Sequence, residues 1–164
     1  MSSAPAMKHA LVLLLAGCAI APPPSTPATV PATTTVDEVL DDLHSAAAQA
    51  DESRYFAHYA TDAVFLGTDA TERWDVAAFR AYAHPHFAAG RGWTYSPRDR
   101  HVTLAASGDV AWFDERLDNA KYGEVRGSGV LRREGATWKV TQYNLSFPIP
   151  NALAAQVVAL IRGG

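Results

Sequence analysis

Val110-Ala111-Trp112-Phe113-Asp114-Glu115-Arg116-Leu117, then Glu124-Val125-Arg126-Gly127-Ser128-Gly129-Val130-Leu131, then Trp138 through Phe147, is the stretch that decides the fold. Each run alternates apolar and polar residues, the period of a half-buried strand. Turn residues separate the runs at Lys121-Tyr122-Gly123 and Glu134-Gly135-Ala136. A further strand is expected near Trp93–Tyr95, continuing to His101–Leu104, before the Ser107-Gly108-Asp109 turn. This is an antiparallel meander. Alternation places Ala111, Phe113, Glu115 and Leu117 on one face with Val125, Gly127, Gly129, Leu131, Tyr143, Leu145 and Phe147. The opposite face takes Trp112, Asp114, Arg116, Glu124, Arg126, Trp138, Gln142 and Asn144. Its charges can pair across strands, and its tryptophans suit a subunit contact.

The residues before the meander read differently. Thr35 and Glu38 are spaced as a capping box, and Val36, Val39, Leu40, Leu43, Ala46, Ala47 and Ala50 recur at helical spacing. A short second helix is predicted over Asp51–Tyr59, and a strand over Ala63–Gly67 with a partner at Thr71–Trp74. Asp75 can cap a third helix through Val76, Phe79 and Ala83, limited by Pro85. Asn151 opens a last helix with Leu153, Val157, Leu160 and Ile161 as its inner positions. Helices followed by a long meander mean an α+β domain, its helices covering one face of a curved sheet.

Several phrases carry a resemblance: Tyr59-Ala60-Thr61-Asp62-Ala63-Val64-Phe65-Leu66-Gly67, the meander runs quoted above, and Trp138-Lys139-Val140 leading to Tyr143-Asn144-Leu145. Over about Val36 to Ile161 the chain resembles the SnoaL-like proteins of the nuclear transport factor 2-like superfamily. The resemblance implies a cone-shaped, strongly curved antiparallel sheet. Its ketosteroid isomerases and polyketide cyclases move a proton beside a carbonyl with a carboxylate. Carried over, the isomerase base falls near Gly67, the oxyanion-side aspartate near Gly129 and the helix-borne tyrosine near Leu43 or His44. None of the three is retained, although Asp69 and Glu115 offer replacements for two.

The N-terminus carries an address. Lys8-His9 precede the apolar run Ala10–Ala16, too short to span a bilayer, and Leu15-Ala16-Gly17-Cys18 follows. This resembles the lipobox of bacterial lipoproteins, which implies cleavage before Cys18 and acyl chains, palmitate among them, on that residue. Met7 offers a shorter start. Residues 19–34, with Pro22-Pro23-Pro24, Pro27 and Pro31, read as an extended tether. The expected organisation is a signal peptide over 1–17, a lipidated cysteine and tether over 18–34, and the SnoaL-like domain over 35–164. Ala19 replaces the aspartate that favours inner-membrane retention in enteric bacteria, which points to the outer membrane, facing the periplasm. With a single cysteine no internal disulfide forms, and a net charge of -3 gives no reason to expect nucleic acid.

Glu115 is the one ionisable residue on the apolar face before Arg133. Desolvation there is expected to raise its pKa, with Tyr143 as a hydrogen-bond donor. The alternatives are a bulge that turns it outward and an arginine that neutralises it. His44 borders a pocket in one reading and sits on the helix surface in the other. His44, Tyr55, Trp74, Phe113, Glu115, Leu131 and Tyr143 are the pocket candidates. Gly127 and Gly129 leave room for a ligand or mark bends. His84-Pro85-His86 has ligand-like spacing without a further cluster, so neither metal nor cofactor is expected. The leading expectation is a membrane-tethered envelope protein with a small apolar pocket for a ligand, a dimer interface, or both, without established catalysis. The alternatives are a proton-transfer enzyme (isomerase, cyclase or hydratase) using Glu115 and Tyr143, and a structural envelope module.

Overall fold

A computed structural model describes Met1 and residues 34–163. The signal, Cys18 and tether expectations lie outside the described residues. Helix α1 (Val36–Ala48) begins with the expected box: Thr35 Oγ1 accepts from the Glu38 amide, and the Glu38 side chain accepts from the Thr35 amide. α2 (Glu52–Ala57) is capped by Asp51. β1 (Tyr59–Leu66) and β2 (Arg73–Asp75) form a hairpin-like edge that leads into α3 (Val76–Ala88), capped by Asp75.

The meander follows as β3 (Ser96–Leu104), β4 (Val110–Asn119), β5 (Gly123–Glu134) and β6 (Thr137–Ser146). A 3-10 turn at Asn151–Leu153 precedes α4 (Ala154–Ile161). The sheet order is β2-β1-β6-β5-β4-β3. The architecture is the expected α+β one, with a six-stranded, curved and unclosed sheet. Every pairing is antiparallel except β1 with β6, which run parallel. The core lies between the sheet's concave face and α1 to α3, around Leu40, Leu43, Phe79, Leu117, Leu131 and Val140.

Three local readings are corrected. Pro85 does not end α3, which runs on to Ala88 and buries Phe87. The helix stops only where Gly90, at φ 67°, lets its own amide reach Phe87 O and the Arg91 amide reach His86 O. Burial of Phe87 beside Tyr55 and Trp93 holds the turn that Pro85 weakens.

Trp138 is not on the outer face. Opposite Val130 and Leu131 stand Gln142 and Val140, so Thr141 is an extra residue in β6. The bulge reverses the alternation. Trp138 and Val140 face the core along with Tyr143 and Leu145, and Trp138 is 2% exposed against 49% for Trp112. Finally, α4 does not bury its expected inner positions. Leu153, Leu160 and Ile161 are exposed.

Candidate functional site

The first turns of α1 place Asp37, Asp41 and His44 at i, i+4 and i+7, one stripe facing the sheet. Glu115 points up from β4 to meet this stripe and is fully buried. His44 Nε2 lies 2.7 Å from Glu115 Oε1, and Tyr143 Oη donates to the same oxygen at 3.2 Å. Arg100 Nε donates to Oε2 at 2.7 Å, while its Nη1 donates to Asp41 at 2.8 Å and to Asp37 at 3.3 Å. Both carboxylate oxygens are therefore engaged, and by charge-assisted donors.

Arg100 reaches inward because of a second bulge. Arg98 pairs Arg116 and His101 pairs Asp114, so Asp99 and Arg100 together oppose Glu115 alone. Asp99 adopts φ 49°, the left-handed conformation that aspartate tolerates better than most residues. The polar run Ser96-Pro97-Arg98-Asp99-Arg100 gave no alternation to read, which is why both the strand's start and this partner escaped the sequence.

The expected rise in the Glu115 pKa is reversed. Burial alone pushes it up, but the hydrogen bond and charge of His44, then those of Arg100, outweigh burial and hold it below its usual 4.5. The arginine alternative therefore holds. Burial also works against the charge of Arg100, and its bonds to Glu115 and Asp41 more than offset that. Tyr143 is driven well up by burial and by the adjacent Glu115 charge, so its hydroxyl remains a donor. The arrangement is a sealed carboxylate that fixes His44 and Tyr143.

Gly127 explains itself here. A Cβ at that position would lie 2.5 Å from Tyr143 Oη and 3.0 Å from Glu115 Oε1. One at Gly129 would lie 2.1 Å from Gln142 O and 2.9 Å from the Phe113 ring. The glycines make space for the protein's own network and strand, not for a ligand.

Above the network, a cavity of about 30 Å³ is lined by Leu43, His44, Ala47, Tyr55, Tyr143 and neighbours. That is room for one or two waters among polar groups. Phe65, Trp93, Tyr95 and Leu145 line it too, and they also line a cleft of about 290 Å³ with Trp74, Phe79, Tyr82 and Tyr122. Phe65, Trp74 and Phe79 stack nearly parallel, at 9° to 14°, forming a flat aromatic wall. Of the pocket candidates, His44, Tyr55, Tyr143 and Trp74 thus line cavity or cleft. Glu115 lies beneath them. Phe113 packs under the Tyr143 ring and Leu131 is core. Sequence reasoning missed Phe65, Trp93 and Tyr95, whose aromatic character in a strand and a loop was the available signal. His84 bonds Glu52 at 2.7 Å, and His86 sits against Tyr82, which gives the two histidines separate surroundings.

The family model for the SnoaL-like domain matches residues 36–150. This chain belongs to the SnoaL-like family. The SnoaL-like fold is shared with a nuclear transport factor 2-like protein of unknown function from Pseudomonas putida, at 19% identity and a TM-score of 0.59 over 71% of this chain and 86% of that one. A candidate dehydratase of the same superfamily from Streptomyces avermitilis gives 14% identity and 0.60, over 70% and 94%. A candidate ketosteroid isomerase from Parabacteroides distasonis gives 17% and 0.55, over 71% and 90%. At such identities the likeness is one of fold. Comparison with curated proteins found no match. Among the described residues, no helix of this SnoaL-like chain is long and apolar enough to cross a membrane.

Proposed function

We propose that this SnoaL-like domain is an acid–base pocket for a small, flat, largely apolar molecule, with His44 as the group that exchanges a proton with it. One observation carries the reading. His44 is bound at 2.7 Å to a carboxylate sealed from solvent, while its ring lines a water-sized cavity that shares the walls Phe65, Trp93, Tyr95 and Leu145 with an aromatic cleft. Glu115 cannot touch a ligand, so it acts as a positioning residue that sets the tautomer and orientation of His44. Tyr143 Oη gives its one proton to the same oxygen, so it too holds the carboxylate in place beside His44. A water in the small cavity and an organic molecule in the cleft fit hydration, dehydration or enolisation. The names of the Streptomyces and Parabacteroides neighbours are in keeping with that class.

A direct test uses 2-tetralone, an enolisable bicyclic ketone of suitable size, in deuterated buffer. The wild-type chain should accelerate exchange at the carbon beside the carbonyl, and His44→Gln should abolish the acceleration while still quenching on ketone binding. Exchange at the buffer rate with binding retained would leave a ligand-binding protein without catalysis. That second reading is favoured by the absence of the isomerase residues at Gly67 and Gly129.

The same proposal places the domain in the cell envelope, tethered by acyl chains on Cys18. Cys18→Ser should abolish the acyl mass of the N-terminal peptide and release the protein from the membrane fraction. Self-association is assigned to the outer sheet face, where Trp112 is exposed opposite Thr103. With Trp138 on the core side, that face offers Trp112 as its single large anchor, and Trp112→Ala should raise the dimer dissociation constant at least about tenfold by sedimentation.

A further inference from the structure

α4 lies at residues 154–161, just past the SnoaL-like match that ends at 150. Leu153, Val157, Leu160 and Ile161 recur at i, i+4, i+7 and i+8, which puts four large apolar side chains on one stripe. The other side carries Ala154, Ala155, Gln156 and Ala159 with one further large apolar residue, Val158, which is 43% exposed, and Arg162 at the C-cap. Such a stripe is the mark of a helix that packs against something, yet Leu153, Leu160 and Ile161 are 47%, 66% and 78% exposed.

What it packs against is set by where the chain leaves the sheet. Leu145, near the end of β6, lines both the inner cavity and the cleft. Phe147 lies against Tyr122 with ring centroids 5.4 Å apart, and Tyr122 lines the cleft as well as a neighbouring groove of about 580 Å³. That groove runs between Gly92–Ser96 and Asp118–Tyr122, and Trp93 and Tyr95 belong to it and to the cleft. The helix therefore starts from the cleft's own rim. The segment from Phe147 to Leu153 spans at most about 20 Å, and Pro148 and Pro150 keep it extended and give it few conformations.

Charge points the same way. α4 itself has no ionised side chain, Arg162 standing at its C-cap; in the groove Asp118 is paired with Arg98 at 2.9 Å, and the exposed Lys121 extends over the Tyr122 ring. A docked apolar stripe would leave the Asp118 pair in place while the Lys121 ammonium reaches water past it. A bilayer is a poorer fit: α4 is about 12 Å long and lacks the basic face of an interfacial helix.

We propose that α4 is a lid, and that its Leu153-Val157-Leu160-Ile161 stripe docks into the groove between Gly92–Ser96 and Asp118–Tyr122 of the same chain, closing the mouth of the aromatic cleft. The inference goes beyond the proposed acid–base role and does not depend on it, since it is tested without ligand.

Amide hydrogen exchange is measured on the full chain, on a chain stopped after Pro150, and on the Leu160→Glu, Ile161→Glu variant, which keeps the chain length. Segments 92–96 and 119–122 should exchange at least about threefold faster in both altered chains, with the rest of the meander unchanged, at every protein concentration. Unchanged exchange in either altered chain overturns the lid. So does wild-type protection that disappears on dilution, which would mean that a second copy supplies the helix. Protection of α4 that appears only when phosphatidylglycerol vesicles are added overturns it as well.

Discussion

Replacing Glu115 by glutamine removes a charge from a fully buried position and leaves its partners in place. Arg100 would then sit with its Nε facing a neutral amide, held only by Asp41 and Asp37, which are themselves more than half exposed. His44 would lose the acceptor that fixes its ring. Breaking a buried ion pair from one side costs about 3–5 kcal/mol. Two features argue for the lower end: the amide can still accept from Arg100, and Arg100 Nη2 is already buried without a partner among the described residues. A loss of about 3 kcal/mol follows, or a drop in Tm of roughly 10 °C for a domain of this size.

The sign with pH is fixed by the depressed Glu115 pKa. Its contribution is complete above the ordinary value of 4.5 and is lost as pH falls through the lower native value. Urea denaturation of both proteins at pH ~7 and at pH ~3 therefore gives a large gap at the first and a shrinking gap at the second. A glutamine variant as stable as wild type at neutral pH, or a gap that widens in acid, would refute the ionised, paired state on which the site rests.

Trp138→Ala should cost about 3–5 kcal/mol and Trp112→Ala under about 1 kcal/mol in the same denaturation assay, because only Trp138 is in the core. Pro85→Ala restores a helical amide for Ala81 O and should raise stability by about 1–3 kcal/mol, read as a higher Tm. Gly127→Ala should cost about 1–3 kcal/mol and change the Tyr143 side-chain signals in NMR, because the new methyl occupies the hydroxyl's place.

The architecture could be read because alternation and helical spacing are local signals. The capping box at Thr35, the meander's core face through Ala111, Phe113 and Leu117, and the buried Glu115 all follow from neighbours in the chain. What could not be read came from insertions into that periodicity. Thr141 reverses the phase of β6 and carries Trp138 inward; Asp99 does the same for Arg100. Neither bulge residue is a glycine, and nothing in its type announces it. His44 was nameable as a pocket neighbour from the position of Leu43, but its partner is 71 residues away, a distance that only the folded sheet closes. The exposed stripe of α4 was legible as a pattern and not as a location.

The Asp99 bulge also decides which kinds of sequence change the site can survive. Its function is to count, so it is indifferent to much of the chemistry around it and sensitive to length. A single-codon deletion between Arg98 and His101 could keep an arginine in the strand and still swing it to the solvent side, leaving Glu115 enclosed without its cation. Substitutions at Ser96, Pro97 or His101, all exposed, would leave the pairing intact. Among chains sharing this network, drift should therefore show as exchanged letters in this segment and almost never as gaps.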